Sequence, residues 1–229
     1  MRAPNPQRLP LLDIAKYHSD QAAFIEELRD ACHTVGFFLL RHGGLGSSSS
    51  TTSSSSSSSS ETTLADRMLG ETRQFFQRPL SEKMQISYET SPSFRGYMPL
   101  GVENTAGVVD NRQQVEYAAE YPSIQMENNN NNNNNNKEWP FYKRLQSHSN
   151  PWPTAVQSSL QPVTLEFARQ VCQIGDVIRD SLCRALQLDP TILSDKFQAH
   201  GEVPHWALKL ISYPPLPPHG VNSHHQQGV

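Results

Sequence analysis

The sequence predicts an α/β chain in which a helical N-terminal layer supports a sheet that has barely begun. Helical-period apolar stripes dominate the chain from Ser19 to Leu186. A short, continuously apolar segment, Phe37 to Leu40, interrupts them. An alternating segment, Ala207 to Tyr213, comes late and is closed at once by Pro214, Pro215, Pro217 and Pro218. Helices first and a strand-and-turn region last is the layering of a mixed fold.

Taken in order, Leu9 to Asp13 reads as a short strand, and Ser19 as the cap of a helix whose Phe24, Leu28, Ala31 and Cys32 share one face. Gly36 supplies the stop. Phe37 to Leu40 is too short for a helix and reads as a buried strand leading to His42, a turn residue beside two glycines rather than a ligand. Leu64, Met68, Thr72, Phe75 and Phe76 form the next stripe, ending near Pro79, and a short helical start follows at Ser81. The longest helix is expected from about Pro162 to Leu186, with Val163, Phe167, Val171, Ile174, Ile178 and Leu182 as its stripe and Asp189-Pro190 as its limit. In the final strand, Leu208 and Leu210 fall on one face and Lys209, Ile211 and Tyr213 on the other.

Two low-complexity tracts break this pattern. Ser47 to Ser60 is all serine and threonine and Asn128 to Asn136 all asparagine, so neither can bury enough apolar surface to offset chain entropy. Both are expected to be disordered insertions, at 45–62 and 127–137, in surface loops where added length costs little.

A chain of 229 residues, 36% hydrophobic, is long enough to bury a core as one domain or as a small and a large one. Its net charge of -3 supplies no basic field for nucleic acid or an anionic membrane, and no apolar run is long enough to span a bilayer. Cys32, Cys172 and Cys183 are odd in number and widely spaced, as expected of reduced thiols in the cytoplasm.

The runs LPLLD, ELRDACHTVGFFLLRHGG, TRQFFQRPLSEK, FRGYMPLGVENTAGVVDNRQQVEYAAE and LKLISYPP occur in that order. Together with SHSNPWP, which ends at Pro153, this order resembles the isopenicillin N synthase-like branch of the 2-oxoglutarate and Fe(II)-dependent oxygenases. The resemblance implies that residues 1–200 form the non-haem dioxygenase N-terminal region. Residues 201–229 then begin an incomplete double-stranded β-helix, or jelly roll.

In that family a His-x-Asp pair on one strand and a second histidine bind iron. Alternation sends residues i and i+2 of a strand to one side, and a facial triad leaves positions open for cosubstrate and oxygen. The matching positions are His224 and Gln226, behind Tyr213, Pro214 and Pro215. Gln226 stands where the carboxylate belongs, and a neutral amide binds Fe(II) more weakly. The family's second histidine and its Arg-x-Ser motif lie further along, so this chain is expected to be truncated and inactive alone. Tyr213 is the resemblance's candidate for contact with cosubstrate or substrate; a packing tyrosine is the plain alternative. Arg95, in FRGY, is a candidate bidentate partner for a substrate carboxylate, against a solvated loop arginine, and Tyr97 is a weaker candidate beside it.

The resemblance implies Fe(II) and 2-oxoglutarate, with ascorbate as an accessory reductant, and a small-molecule substrate that is hydroxylated or desaturated with dioxygen. Two alternatives stand beside it. One is a noncatalytic binding or regulatory protein of the same descent, with a protein partner covering exposed strand edges. The other is an oxidase that uses iron and oxygen without 2-oxoglutarate. Zinc binding by His219, His224 and His225 is the weakest reading, because these residues lack cysteine partners.

Overall fold

The structure is a computed structural model that describes residues 9–42, 62–120, 148–154, 157–197 and 205–215. In chain order the elements are β1 (Leu11–Asp13), α1 (Ile14–Ser19), α2 (Gln21–Thr34), β2 (Leu39–Arg41), α3 (Leu64–Phe76), α4 (Leu80–Lys83) and a 3-10 turn, Met84–Ile86. There follow β3 (Gly96–Met98), β4 (Asn104–Thr105), β5 (Val108–Val109), β6 (Gln113–Ala118), α5 (Gln157–Ala185), α6 (Thr191–Phe197) and β7 (Ala207–Ser212). They fall into two compact units, one of residues 1–69 and 163–204, the other of 70–162 and 205–229. Both low-complexity tracts lie outside the described residues. Among the described residues no helix is long and apolar enough to cross a membrane.

In the first unit β1 and β2 pair in parallel, with Leu12 opposite Leu40. Leu12, Phe24 and Leu28 are buried together, and Tyr17, Phe38, Leu40, Ile178 and Leu182 pack against them. The stripe expected on α2 is therefore present through Phe24, Leu28 and Ala31, but Cys32 is exposed. The cap differs as well. Ser19 ends α1, a helix not anticipated, and Asp20 caps α2 by accepting from the Ala23 amide at 3.2 Å. Asp is as good a cap as Ser, and here it stands one residue nearer the helix. Gly36 closes α2 as expected, with φ +81° and its amide on the Ala31 carbonyl.

The strand expected to be buried at Phe37 to Leu40 is not. Phe37 is 73% exposed and Leu39 54%, because only the alternate side chains Phe38 and Leu40 face the core. α3 begins with a capping box, in which Asp66 accepts from Thr63 and the Thr63 hydroxyl accepts from the Asp66 amide at 3.0 Å. These bonds hold the Asp66 carboxyl below its ordinary pKa. Leu64, Met68, Phe75 and Phe76 are the buried positions expected of α3. α5 starts before Pro162 and contains it, and Val171 of its expected stripe is 43% exposed. Beyond it Asp189 caps α6, accepting from the Thr191 amide at 2.8 Å.

The second unit is organised on a three-stranded antiparallel sheet in the order β3-β6-β7. β4 and β5 make a separate small hairpin. β7 matches the strand expected from alternation: Leu210 is 7% exposed, whereas its neighbours Lys209 and Ile211 are exposed.

Candidate active site

Alternation along β6 divides the second unit's sheet into two faces of different chemistry. Gln113, Val115 and Tyr117 point one way, level with Tyr97 on β3 and with Leu208 and Leu210 on β7. This face is dry. Val115, Tyr117 and Tyr97 are 1% exposed or less, and the Tyr97 ring meets Phe75 edge-on at 6.0 Å. Gln113 Oε1 accepts here from the Tyr97 hydroxyl and from Lys83 Nζ, each at 2.8 Å, whereas the Tyr117 hydroxyl has no hydrogen-bond partner among the described residues. Lys83 also donates to the Phe76 carbonyl at 3.0 Å, and burial lowers its pKa. Burial raises that of Tyr97.

Gln114 and Glu116 point the other way, level with Met98 on β3 and with Ile211 and Lys209 on β7. The same alternation places Arg112 and Tyr213, just outside the strands, on this side. The face is polar and connected. Arg112 pairs with Glu103 at 3.2 Å and Asp110 at 3.5 Å and hydrogen-bonds the Tyr213 side chain. Gln114 Nε2 donates to Glu103 at 2.9 Å and to Glu116 at 3.4 Å, and Glu116 pairs with Lys209 at 2.6 Å. Asn111 Nδ2 donates to the Pro214 carbonyl at 3.1 Å, so the Tyr-Pro-Pro corner is tied at both its tyrosine and its first proline.

The residues singled out in the sequence are thus dispersed. Tyr213 is 53% exposed on the polar face. Tyr97 is buried on the opposite face with its hydroxyl engaged. Arg95 is not a solvated loop residue: it is 8% exposed, and its NH1 donates to Asn150 Oδ1 at 3.3 Å and to the His148 carbonyl at 3.4 Å. His224 and Gln226 lie outside the described residues. Among the described residues no three His, Cys, Asp or Glu side chains form a group able to hold a metal ion.

Sequence reasoning missed Arg112, Gln114, Glu116 and Glu103. The spacing of Arg112, Gln114 and Glu116 at every second residue was the available signal, but only the register of Glu116 against Lys209 shows what that side faces.

It also missed what SHSNPWP does. The Ala119 amide donates to the Trp206 carbonyl, so by the antiparallel alternation Ala118 turns its N–H and C=O toward the β3 side. β3 does not reach that far. Its register would put Phe94 there, but Phe94 has φ +56° and turns the chain away. The Asn150 carboxamide fills the place: Oδ1 accepts from the Ala118 amide at 2.9 Å and Nδ2 donates to the Ala118 carbonyl at 2.8 Å. Pro151 then packs over Gly96, and Trp152 stacks on Tyr117 with ring centres 4.2 Å apart.

Residues 9–142 match the family model described as the N-terminal region of non-haem dioxygenase in morphine synthesis, and the chain belongs to that family. A 2-oxoglutarate-dependent dioxygenase of Trichoderma harzianum is 26% identical over 213 residues, covering 90% of this chain and 55% of the relative. Another, from Dothideomycetidae sp., is 25% identical over 223 residues, covering 96% of this chain and 52% of the relative. The crystal structure of a 2OG-Fe(II) oxygenase family protein from Caulobacter crescentus superposes with a TM-score of 0.64 at 19% identity, covering 92% of this chain and 58% of that one. The fold is that of the 2OG-Fe(II) oxygenases. The chain spans about half the length of the relatives it matches.

Proposed function

We propose that the protein carrying this chain is a non-haem Fe(II)- and 2-oxoglutarate-dependent dioxygenase that hydroxylates or desaturates a small molecule. The observation that carries this reading is the polar sheet face bearing Tyr213, in a chain whose relatives over nine-tenths of its length are 2-oxoglutarate-dependent dioxygenases. Residues 1–200 are its N-terminal region and 201–229 open the oxygenase domain. The cytoplasm is its compartment, in keeping with the free thiols of Cys32, Cys172 and Cys183.

Tyr213 holds a carboxylate of 2-oxoglutarate through its hydroxyl, oriented by Arg112 and by Asn111 at Pro214. His224 is an iron ligand, and Gln226 occupies the position of the usual carboxylate. Bound Fe(II), 2-oxoglutarate and dioxygen supply the oxidising chemistry, with ascorbate keeping the metal reduced. Arg95 and Tyr97 serve the frame that holds this face rather than the substrate.

The test is binding. Anaerobic protein titrated with Fe(II) and then 2-oxoglutarate should develop the visible charge-transfer band of the ternary complex. Tyr213→Phe should weaken 2-oxoglutarate about tenfold, the value of one hydrogen bond to a charged group. Gln226→Asp should tighten Fe(II) by at least as much, because a carboxylate compensates the metal's charge. Absence of any such band in both the native and the Gln226→Asp proteins would favour the noncatalytic reading.

A further inference from the structure

Resting on the oxygenase reading above, we propose that the Lys209–Glu116 pair is the substrate-reading element of the polar face. The substrate it selects carries a zwitterionic α-amino-acid centre, with the carboxylate received by Lys209 and the ammonium by Glu116.

Position is the first argument. Lys209 lies on the same side of β7 as Tyr213 and four residues before it, which at about 3.3 Å per residue sets them about 13 Å apart. That span accommodates a small substrate next to a cosubstrate held at Tyr213, with both on one face.

The second argument is the contrast between two sets of ion pairs on this face. Arg112 is enclosed: its side chain is 21% exposed and engages Glu103, Asp110 and Tyr213 together. Lys209 meets Glu116 alone among its ion-pair partners in the described residues, with side chains 52% and 32% exposed. An exposed pair of this kind contributes little to stability, so opening it costs little. Arg112 is built to stay, and Lys209 is free to exchange partners.

The third argument is Gln114. It is 1% exposed, and its amide nitrogen faces both Glu103 and Glu116. Flipping the amide would set its oxygen against two carboxylates, so its orientation is determined. Glu116 therefore remains anchored on its Gln114 side when Lys209 turns away. Gln114 Oε1, in contrast, has no hydrogen-bond partner among the described residues. A buried amide oxygen without a donor is an uncommon arrangement, and an ammonium entering beside Glu116 supplies one.

The class of substrate follows from charge. A zwitterion inserted between Lys209 and Glu116 gives each a partner of opposite sign and adds no net charge. A simple amine or a simple acid satisfies one member of the pair and leaves the other without the charge-assisted contact that the zwitterion gives it.

The experiment is calorimetric titration of the protein with L-arginine, L-leucine and L-phenylalanine, each beside the amine lacking its carboxylate and the acid lacking its amine. At least one amino acid should bind about tenfold or more tightly than both its amine and its acid. Lys209→Met should abolish the advantage over the amine and Glu116→Gln the advantage over the acid, whereas Lys209→Arg should retain it. Circular dichroism establishes that each variant is folded. The proposal is overturned if no amino acid binds, if amine and acid bind as well as the amino acid, or if either variant weakens all three probes equally. Failure of the oxygenase reading is seen separately, as absence of the 2-oxoglutarate band in both the native and the Gln226→Asp proteins.

Discussion

Replacing Asn150 by alanine removes the side chain that completes the edge of β6. Asn150 is 5% exposed and Ala118 7%, so the Ala118 N–H and C=O lose their partners with little water at hand. A buried backbone group left unpaired costs about 1–3 kcal/mol. Two such groups, with some relief from water entering the gap, come to about 3 kcal/mol. Arg95 retains the His148 carbonyl and Glu120 is partly exposed, so the lost bonds to those residues add little. With a urea m-value of about 2 kcal/mol per molar, the midpoint should fall by about 1.5 M. Amide exchange at Ala118 should rise in parallel, which locates the loss. Asn150→Asp is the sharper control, because it keeps the shape but sets a carboxylate against the Ala118 carbonyl and Glu120. Those neighbours raise the new group's folded pKa, so the deficit should shrink as the pH falls through the carboxylate range. A midpoint shift below about 0.5 M, with Ala118 still protected from exchange, would refute the view that this carboxamide acts as a missing strand residue.

Gly96→Ala should be worse: its Cβ would lie 2.3 Å from the Ile86 carbonyl oxygen and 3.2 Å from Pro151, at φ +125°. Backbone has to move, and a cost above about 3 kcal/mol should lower the melting temperature by roughly 10 °C. Tyr117→Phe should go the other way. The Tyr117 hydroxyl is buried without a hydrogen-bond partner among the described residues, so its removal should stabilise by up to about 1 kcal/mol in urea titration. Burial holds the Tyr117 phenol above its ordinary pKa of 10.0; its stabilisation is full below that pH and is lost as pH rises toward the folded value, so Tyr117→Phe should flatten the alkaline loss of stability. Leu28→Ala, at a position with 0% exposure, should cost about 3 kcal/mol by the same titration.

The helices were legible because their stripes are long. Phe24, Leu28 and Ala31, and Leu64, Met68, Phe75 and Phe76, repeat over several turns and are buried as that repeat requires. Short strands gave a weaker signal. Phe37 to Leu40 is apolar without alternation, and nothing local distinguishes a covered strand from one exposed on a two-stranded ladder. β7 was readable because one face of its alternation is plainly apolar. β6 was not, because Gln113 is a polar residue on a buried face and becomes intelligible only through its bonds to Lys83 and Tyr97. The six residues SHSNPW likewise carry no periodicity. Asn150 acts as a strand residue with its side chain, a role set by where β3 stops.

The separation of Tyr97 from Tyr213 follows from the same alternation and bears directly on function. On β6, Gln113 and Gln114 are adjacent and both buried, yet their amides serve different ends. Gln113 collects two donors on its oxygen and joins Lys83 to Tyr97 in the interior. Gln114 directs its nitrogen at two carboxylates and leaves its oxygen without a donor. A closed network of the first kind specifies packing, and an open one of the second kind retains capacity for a ligand. Exchanging the two environments would require slipping β6 by one residue, which would also carry Val115 and Tyr117 out of the core. The register that buries those two side chains is therefore the register that presents Glu116 to Lys209, so the stability of this sheet and the composition of its polar face are not independent.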